Sequence, residues 1–189
     1  SEGINELCHA QNQRPFRPWI TGMEGYAPAS DTRGAAAKQD AEQTRRSQIE
    51  QLLEDANEWH GTESEHALGE FYLINGDLDK AIPRLTTAEK ADSKNAQYHN
   101  DLGIAFLQNN EAQNALNQFG EALRLDPSLK QALFNRALAY EKLRQPDRAE
   151  KAWQKYLEND KDSPWAGEAR TGLKNLQESE SPAVPSPER

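Results

Sequence analysis

Residues 96–129 read AQYHNDLGIAFLQNNEAQNALNQFGEALRLDPSL, and the 34 residues on either side repeat the pattern without a gap. Residues 62–95 read TESEHALGEFYLINGDLDKAIPRLTTAEKADSKN, and residues 130–163 read KQALFNRALAYEKLRQPDRAEKAWQKYLENDKDS. The eighth position of each unit is Gly69, Gly103 or Ala137, and the twentieth is Ala81, Ala115 or Ala149. Large side chains hold the eleventh (Tyr72, Phe106, Tyr140) and the twenty-fourth (Leu85, Phe119, Trp153). Leu68 and Leu102 stand at the seventh, and Ala88, Ala122 and Tyr156 at the twenty-seventh. Two antiparallel helices approach closely only where the contact points are small, with bulky neighbours filling the space beside them. Gly76-Asp77, Asn109-Asn110 and Gln145-Pro146-Asp147 supply a break in the middle of each unit. Helices of about a dozen residues cannot bury their apolar stripes alone, so the units must stack.

This period, with small and large residues at these offsets and Pro127 closing the second unit, resembles the tetratricopeptide repeat. The resemblance implies an all-α fold. It would be a right-handed solenoid of three 34-residue helix-turn-helix repeats, 62–95, 96–129 and 130–163, flanked by capping helices. Departures are local. Glu65 and His99 stand where the family often has Trp, and Arg136 replaces Leu at the seventh position. Pro83 falls inside the second helix expected of the first unit; proline fits only a first turn, so that helix is expected to start late or be distorted.

Ser163-Pro164 is a helix start, Ser as N-cap and Pro at the first helical position. Trp165, Ala169, Leu173 and Leu176 recur at helical spacing, with Glu168, Arg170, Lys174 and Glu178 opposite, which predicts a C-terminal capping helix over 164–178. Residues 179–189, with three prolines, read as a tail. Upstream, residues 35–61 read as an N-terminal capping helix with the stripe Ile49, Leu52, Leu53 and Ala56. Residues 1–34 contain Pro15, Pro18 and Pro28 together with Phe16, Trp19, Ile20, Met23 and Tyr26. They read as an irregular arm, too apolar to float free, that packs along the solenoid or docks on a partner.

The chain has 189 residues, 31 acidic and 22 basic, for a net charge of −9, and is 35% hydrophobic. That is thin for one deep core and suits helices that each bury a stripe. No apolar run approaches the roughly 18 residues of a membrane span, and the acidic balance speaks against nucleic acid. The chain opens at Ser1 rather than Met, so a processed or trimmed chain with a parent extending upstream is expected. Its single cysteine, Cys8, excludes an internal disulfide and a cysteine-based zinc cage. The histidines His9, His60, His66 and His99 form no HExxH, and the sequence holds no GxGxxG, P-loop or GxSxG. Adjacency in sequence does not make Cys8-His9 a catalytic pair. The acid pairs Glu63/Glu65 and Asp160/Asp162 read as solvated charge. The reading therefore excludes an enzyme and assigns neither cofactor nor metal.

By the resemblance, the first helix of each repeat lines a concave groove. The partner-binding candidates are then Glu63, His66 and Glu70 with Ala67; Gln97, Asn100, Asp101 and Ile104; and Gln131, Phe134, Asn135, Leu138 and Lys142. Phe134 is the expected apolar anchor; the alternative is that it sits in the seam between repeats two and three, where its loss would lower stability and binding together. Chaperone-binding members of the family hold a C-terminal carboxylate with Lys, Asn, Asn, Lys and Arg. Those five places read His66, Glu70, Asp101, Gln131 and Asn135 here, and the two carboxylates would repel such a tail. Residues 48–123 carry 14 acids against 4 bases, while 124–178 carry 9 against 11. A partner on the front half should be basic or neutral-polar, and the rear half could take an acidic or aromatic anchor. The same asymmetry would allow head-to-tail self-association.

The strings QALFNRALAYEKL (131–143), WQKYL (153–157) and SPWAGEAR (163–170) look like the repeat region of large bacterial proteins ending in a caspase-like CHAT domain. GYAPASDTRG (25–34) is similar to a segment those proteins place between a membrane anchor and the repeats. This resemblance implies a bacterial chain, periplasmic or cytoplasmic, whose membrane tether would lie outside these residues. No protease-like activity carries over, since no catalytic His/Cys motif matches. The sequence thus predicts a scaffold or adaptor for a peptide or protein. The alternative is a structural subunit of a complex or filament that docks through the arm.

Overall fold

The computed structural model describes residues 35–180. Among these there are helices and no strand: α1 (Ala35–His60), α2 (Thr62–Asn75), α3 (Leu78–Ala91), α4 (Ala96–Gln108), α5 (Ala112–Leu125), α6 (Lys130–Lys142), α7 (Pro146–Asn159) and α8 (Pro164–Glu180). Helices α2 and α3, α4 and α5, and α6 and α7 pair as hairpins, and each hairpin stacks on the next. The first helices α2, α4 and α6 neighbour one another; α1 packs on α2, and α8 on α7. This is the expected all-α solenoid. No helix among the described residues is long and apolar enough to cross a membrane.

The hairpins close at the small positions. A Cβ on Gly69 would lie 2.6 Å from Leu85 Cγ, and one on Gly103 would lie 2.5 Å from Phe119 Cε1. Leu85 and Phe119 are fully buried and have nowhere to go. Ala81, Ala115 and Ala149 are buried as completely on the opposing helices. In the third hairpin Trp153 and Tyr156 take over as the large fillers, both fully buried.

The three turns share one geometry. Gly76, Asn110 and Arg144, each at the fifteenth position, adopt positive φ of 77°, 65° and 55°. The next N–H, on Asp77, Glu111 or Gln145, reaches back to the carbonyl of Tyr72, Phe106 or Tyr140 at 2.9, 2.8 and 3.0 Å. This satisfies a carbonyl that the end of the helix would leave open. The third turn thus centres just before the expected Gln145-Pro146-Asp147, because Pro146 is the first residue of α7, where its missing N–H has no intrahelical partner to lose.

Three expectations are corrected. Helix α3 starts at Leu78 and runs through Pro83, which excludes the late start of the two outcomes expected there. Both Pro83 and Asp79, whose carbonyl the proline leaves without an intrahelical donor, are exposed, so water can serve that carbonyl. Leu52 is 68% exposed and outside the stripe of α1, whose apolar contacts among the described residues come from Ile49 and Leu53. Much of the remaining attachment of α1 is polar. The Tyr72 hydroxyl lies 3.0 Å from both Glu50 Oε1 and Glu54 Oε1 and shares its one proton between them, Lys80 donates to Glu50 at 3.0 Å, and Arg84 bridges Glu54 (3.1 Å) and Glu65 (2.9 Å). Asp160 is buried rather than solvated. It accepts from the Tyr156 hydroxyl at 2.6 Å and from Ser163 Oγ, tying the end of α7 to the start of α8. Ser163 Oγ in turn accepts the Ala166 N–H at 3.2 Å, and α8 continues to Glu180.

Two glycine substitutions separate close approach from mere helix propensity. Gly103→Ala should destabilise the fold by roughly 1–3 kcal/mol, because its methyl meets the immobile Phe119 ring. Gly120→Ala, in α5 with nothing within 4 Å of the new Cβ, should stabilise by about 0.5–1 kcal/mol. Urea unfolding of both variants checks the pair; a neutral Gly103→Ala would contradict the packing.

Candidate functional site

The inner helices carry a line of polar side chains, most of it buried. His66 and Glu70 are four apart on α2 and share a face. Asp101 reaches them from α4, where His66 Nε2 and Asp101 Oδ2 are 2.9 Å apart. Asp101 Oδ1 accepts from Asn100 Nδ2 at 2.9 Å, and Asn100 Oδ1 accepts from Asn135 Nδ2 at 3.0 Å. Both cross-repeat steps, 66 to 101 and 100 to 135, span 35 residues. They are one register contact made twice, and the line joins all three hairpins. Asn100, Asp101 and Asn135 are fully buried. Such a chain is favourable only if its members satisfy one another, and these do.

Glu70 is different. It is 9% exposed; among the described residues it pairs with His66 Nδ1 at 3.8 Å and accepts no hydrogen bond from them. Burial, and behind it the Asp101 charge, push the Glu70 carboxyl up to about 8, against the pull of His66. Burial opposes the charged form of His66, but the hydrogen bond to Asp101 and the charges of Asp101 and Glu70 outweigh it and raise its pKa. The Tyr98 ring lies over His66 with centroids 4.3 Å apart and planes at 29°. Tyr98 was not among the candidates; its position one residue beyond Gln97 gives no hint of a stack formed across repeats.

The other candidates divide by exposure. Glu63, Gln97 and Lys142 are exposed. Lys142 Nζ donates to the Leu107 carbonyl at 2.9 Å, so its charge sits near the C-terminal end of α4. Gln131 is buried at the start of α6. Ile104 and Leu138 belong to the apolar core. Phe134, the expected groove anchor, is fully buried between hairpin three and α8. Its ring meets Trp153, Tyr156 and Trp165 edge-on at 4.8, 5.3 and 5.3 Å. The correction has a simple cause: Trp153 and Trp165, large enough to reach across α6, draw the fifth-position aromatic into the seam.

Two of the family departures, Glu65 and His99, prove to be polar ties within hairpins. Glu65 pairs with Arg84, and His99 Nδ1 with Gln118 Oε1 at 2.8 Å, the same nineteen-residue offset; the third unit has Leu133 and Ala152 there. His99 Nε2 also lies 3.0 Å from the Ser93 carbonyl. The docking-arm residues Phe16, Trp19, Ile20, Met23 and Tyr26 lie outside the described residues, as do Cys8, His9, the chain beyond Glu180 and the side chain of Ala56.

Phe134→Ala should cost roughly 3–5 kcal/mol in urea unfolding, the range for a core aromatic; a loss below about 1 kcal/mol would return Phe134 to the groove surface. The pH dependence follows from the acid cluster. A carboxyl raised from 4.5 to about 8 leaves stability untouched below the lower value and exacts its full penalty above the upper one. A raised imidazole contributes stability that is complete below its ordinary 6.5 and lost as pH climbs through the higher folded value. Both act in one direction, so stability measured with chelator present should fall as pH rises from 4.5 to about 8. Glu70→Gln should flatten that fall, and an unchanged slope would contradict the burial of Glu70.

The model of the tetratricopeptide repeat family matches residues 66–129 and, overlapping, 101–164. Among solved structures, MamA superposes with a TM-score of 0.65 at 19% identity, over 78% of this chain and 86% of MamA. The Arabidopsis OM64 TPR domain gives 0.58 at 23% identity, over 62% of this chain and 94% of that one. The first TPR domain of Spaghetti (RPAP3), bound to the HSP90 peptide SRMEEVD, gives 0.58 at 22%, over 62% and 94%. These likenesses show a common fold. With the repeat matched over more than half its length, the chain belongs to the tetratricopeptide repeat family.

Proposed function

We propose that this chain is a scaffold that binds a basic or neutral-polar peptide or protein segment along the inner helices α2, α4 and α6. The observation that carries the reading is the acidic side of that face. Glu63, Glu70 and Asp101 gather around His66 and Tyr98, and the charges of Glu63 and Glu70 both raise the Tyr98 hydroxyl pKa, behind burial. Exposed Gln97 adds an amide that can both donate to and accept from an extended backbone. The HSP90 peptide held by the Spaghetti domain ends in acidic residues. A ligand of that kind would meet Glu63 and Asp101 here, and the Glu70 charge as well once that carboxyl ionises near pH 8, and be repelled, whereas a Lys or Arg would be drawn in.

The test is selection from a random peptide library on the immobilised chain. Basic sequences should be enriched. The double variant Glu63→Lys, Gln97→Lys should bind the selected peptides at least about tenfold more weakly. Both positions are exposed, so its melting temperature should stay unchanged. Enrichment of acidic C-terminal tails, or equal binding by the variant, would contradict the proposal.

A further inference from the structure

The cluster at the α2–α4 seam has the composition of a metal site as well as that of an acidic wall. We propose that His66, Glu70 and Asp101 bind one divalent cation of the zinc class between the first and second repeats.

The geometry is the first ground. One ligand atom from each residue lies within 4.8 Å of the other two. His66 and Glu70 come from successive turns of one helix, and Asp101 from the neighbouring one. The 2.9 Å between His66 Nε2 and Asp101 Oδ2 is a hydrogen-bond distance; an ion about 2.1 Å from each of two tetrahedral donors holds them about 3.4 Å apart, so it would replace the shared proton with a small outward shift of the two side chains.

The second ground is Glu70. It is a buried carboxylate that accepts no hydrogen bond among the described residues, held beside a second carboxylate that is fully buried. Such a group is costly unless a cation or a donor faces it. The third ground is the support behind the ligands. Tyr98 fixes the plane of the His66 ring, and the Asn135–Asn100 amide chain holds the second oxygen of Asp101, the outer-sphere orientation that metal ligands need.

The donor set selects the ion. One imidazole nitrogen with two carboxylate oxygens suits Zn²⁺ and its transition-metal neighbours. Calcium takes six to eight oxygens, and magnesium keeps most of its waters, so neither matches. Three protein donors leave at least one coordination position for water or for a group from a bound partner. The inference is independent of the peptide proposal, because its probe is the metal alone.

The experiment uses the full chain, stripped with chelator and dialysed, in a Cys8→Ser, His9→Gln, His60→Gln background that removes competing ligands elsewhere. Titration with ZnCl₂ should show one saturable site and a rise in melting temperature, while MgCl₂ and CaCl₂ should show neither. Co²⁺ should give visible absorption bands at one equivalent, displaced by Zn²⁺. His66→Gln and Glu70→Gln should each weaken Zn²⁺ binding by at least about tenfold. Circular dichroism and the metal-free melt confirm that each variant is folded; Glu70→Gln, which keeps the shape of the side chain and removes its ionisable carboxyl, decides the matter should His66→Gln fail to fold. Absence of saturable Zn²⁺ binding overturns the proposal, as does binding that survives Glu70→Gln unchanged.

Discussion

How near the two helices of a hairpin can lie governs this molecule. At Gly69 and Gly103 the opposing Leu85 and Phe119 occupy the very space a Cβ would need, so the helices touch at backbone distance. That contact sets the hairpin, and the hairpin sets everything outward from it. The left-handed residue always falls at the fifteenth position, the second helix always meets the first helix of the next unit, and α2, α4 and α6 lie side by side on one surface. A solenoid has no central core to anchor it, so its stability is a sum of such nearest-neighbour contacts. The polar line from His66 through Asp101 and Asn100 to Asn135 crosses all three units.

The fold was legible because its determinants are local and repeated. Small and large residues recur at fixed offsets, and chance does not reproduce that in three units. The site was legible only in part. The offsets put His66, Asp101, Asn100 and Asn135 on the right helices, but the contacts that join them pair residues 35 apart, one more than the repeat. Reading each repeat as a unit therefore hides them. A search for metal spacing along the chain misses His66, Glu70 and Asp101 for the same reason: one ligand comes from a different repeat. Phe134 was misplaced because its fate depends on Trp153 and Trp165, and a fifth-position residue cannot announce which neighbours will cover it. Leu52 shows the converse, an apolar residue near a stripe that the helix turns outward.

The ends of the array are built differently from its middle. At the C-terminal end α8 lays Trp165, Ala166 and Ala169 on the last hairpin and is tied down by Asp160 and Ser163. At the N-terminal end α1 leans on Ile49 and Leu53, and the rest of its described attachment is the set of carboxylates Glu50 and Glu54 facing Tyr72, Lys80 and Arg84. Exposed ion pairs of this sort are weak and screened by salt. The front of the solenoid is also the end that carries the acidic cluster.

The inner-face cluster is tested most directly by the titration of His66 itself. Nuclear magnetic resonance of the labelled imidazole, in metal-free protein, reads the charge around that ring without perturbing it. The expected result is a His66 pKa above the ordinary 6.5, with the ring shifts responding again near pH 8 as Glu70 loses its proton. A single transition at or below 6.5 would mean that Asp101 and Glu70 do not face His66, and the binding surface proposed for the helices α2, α4 and α6 would fall with it.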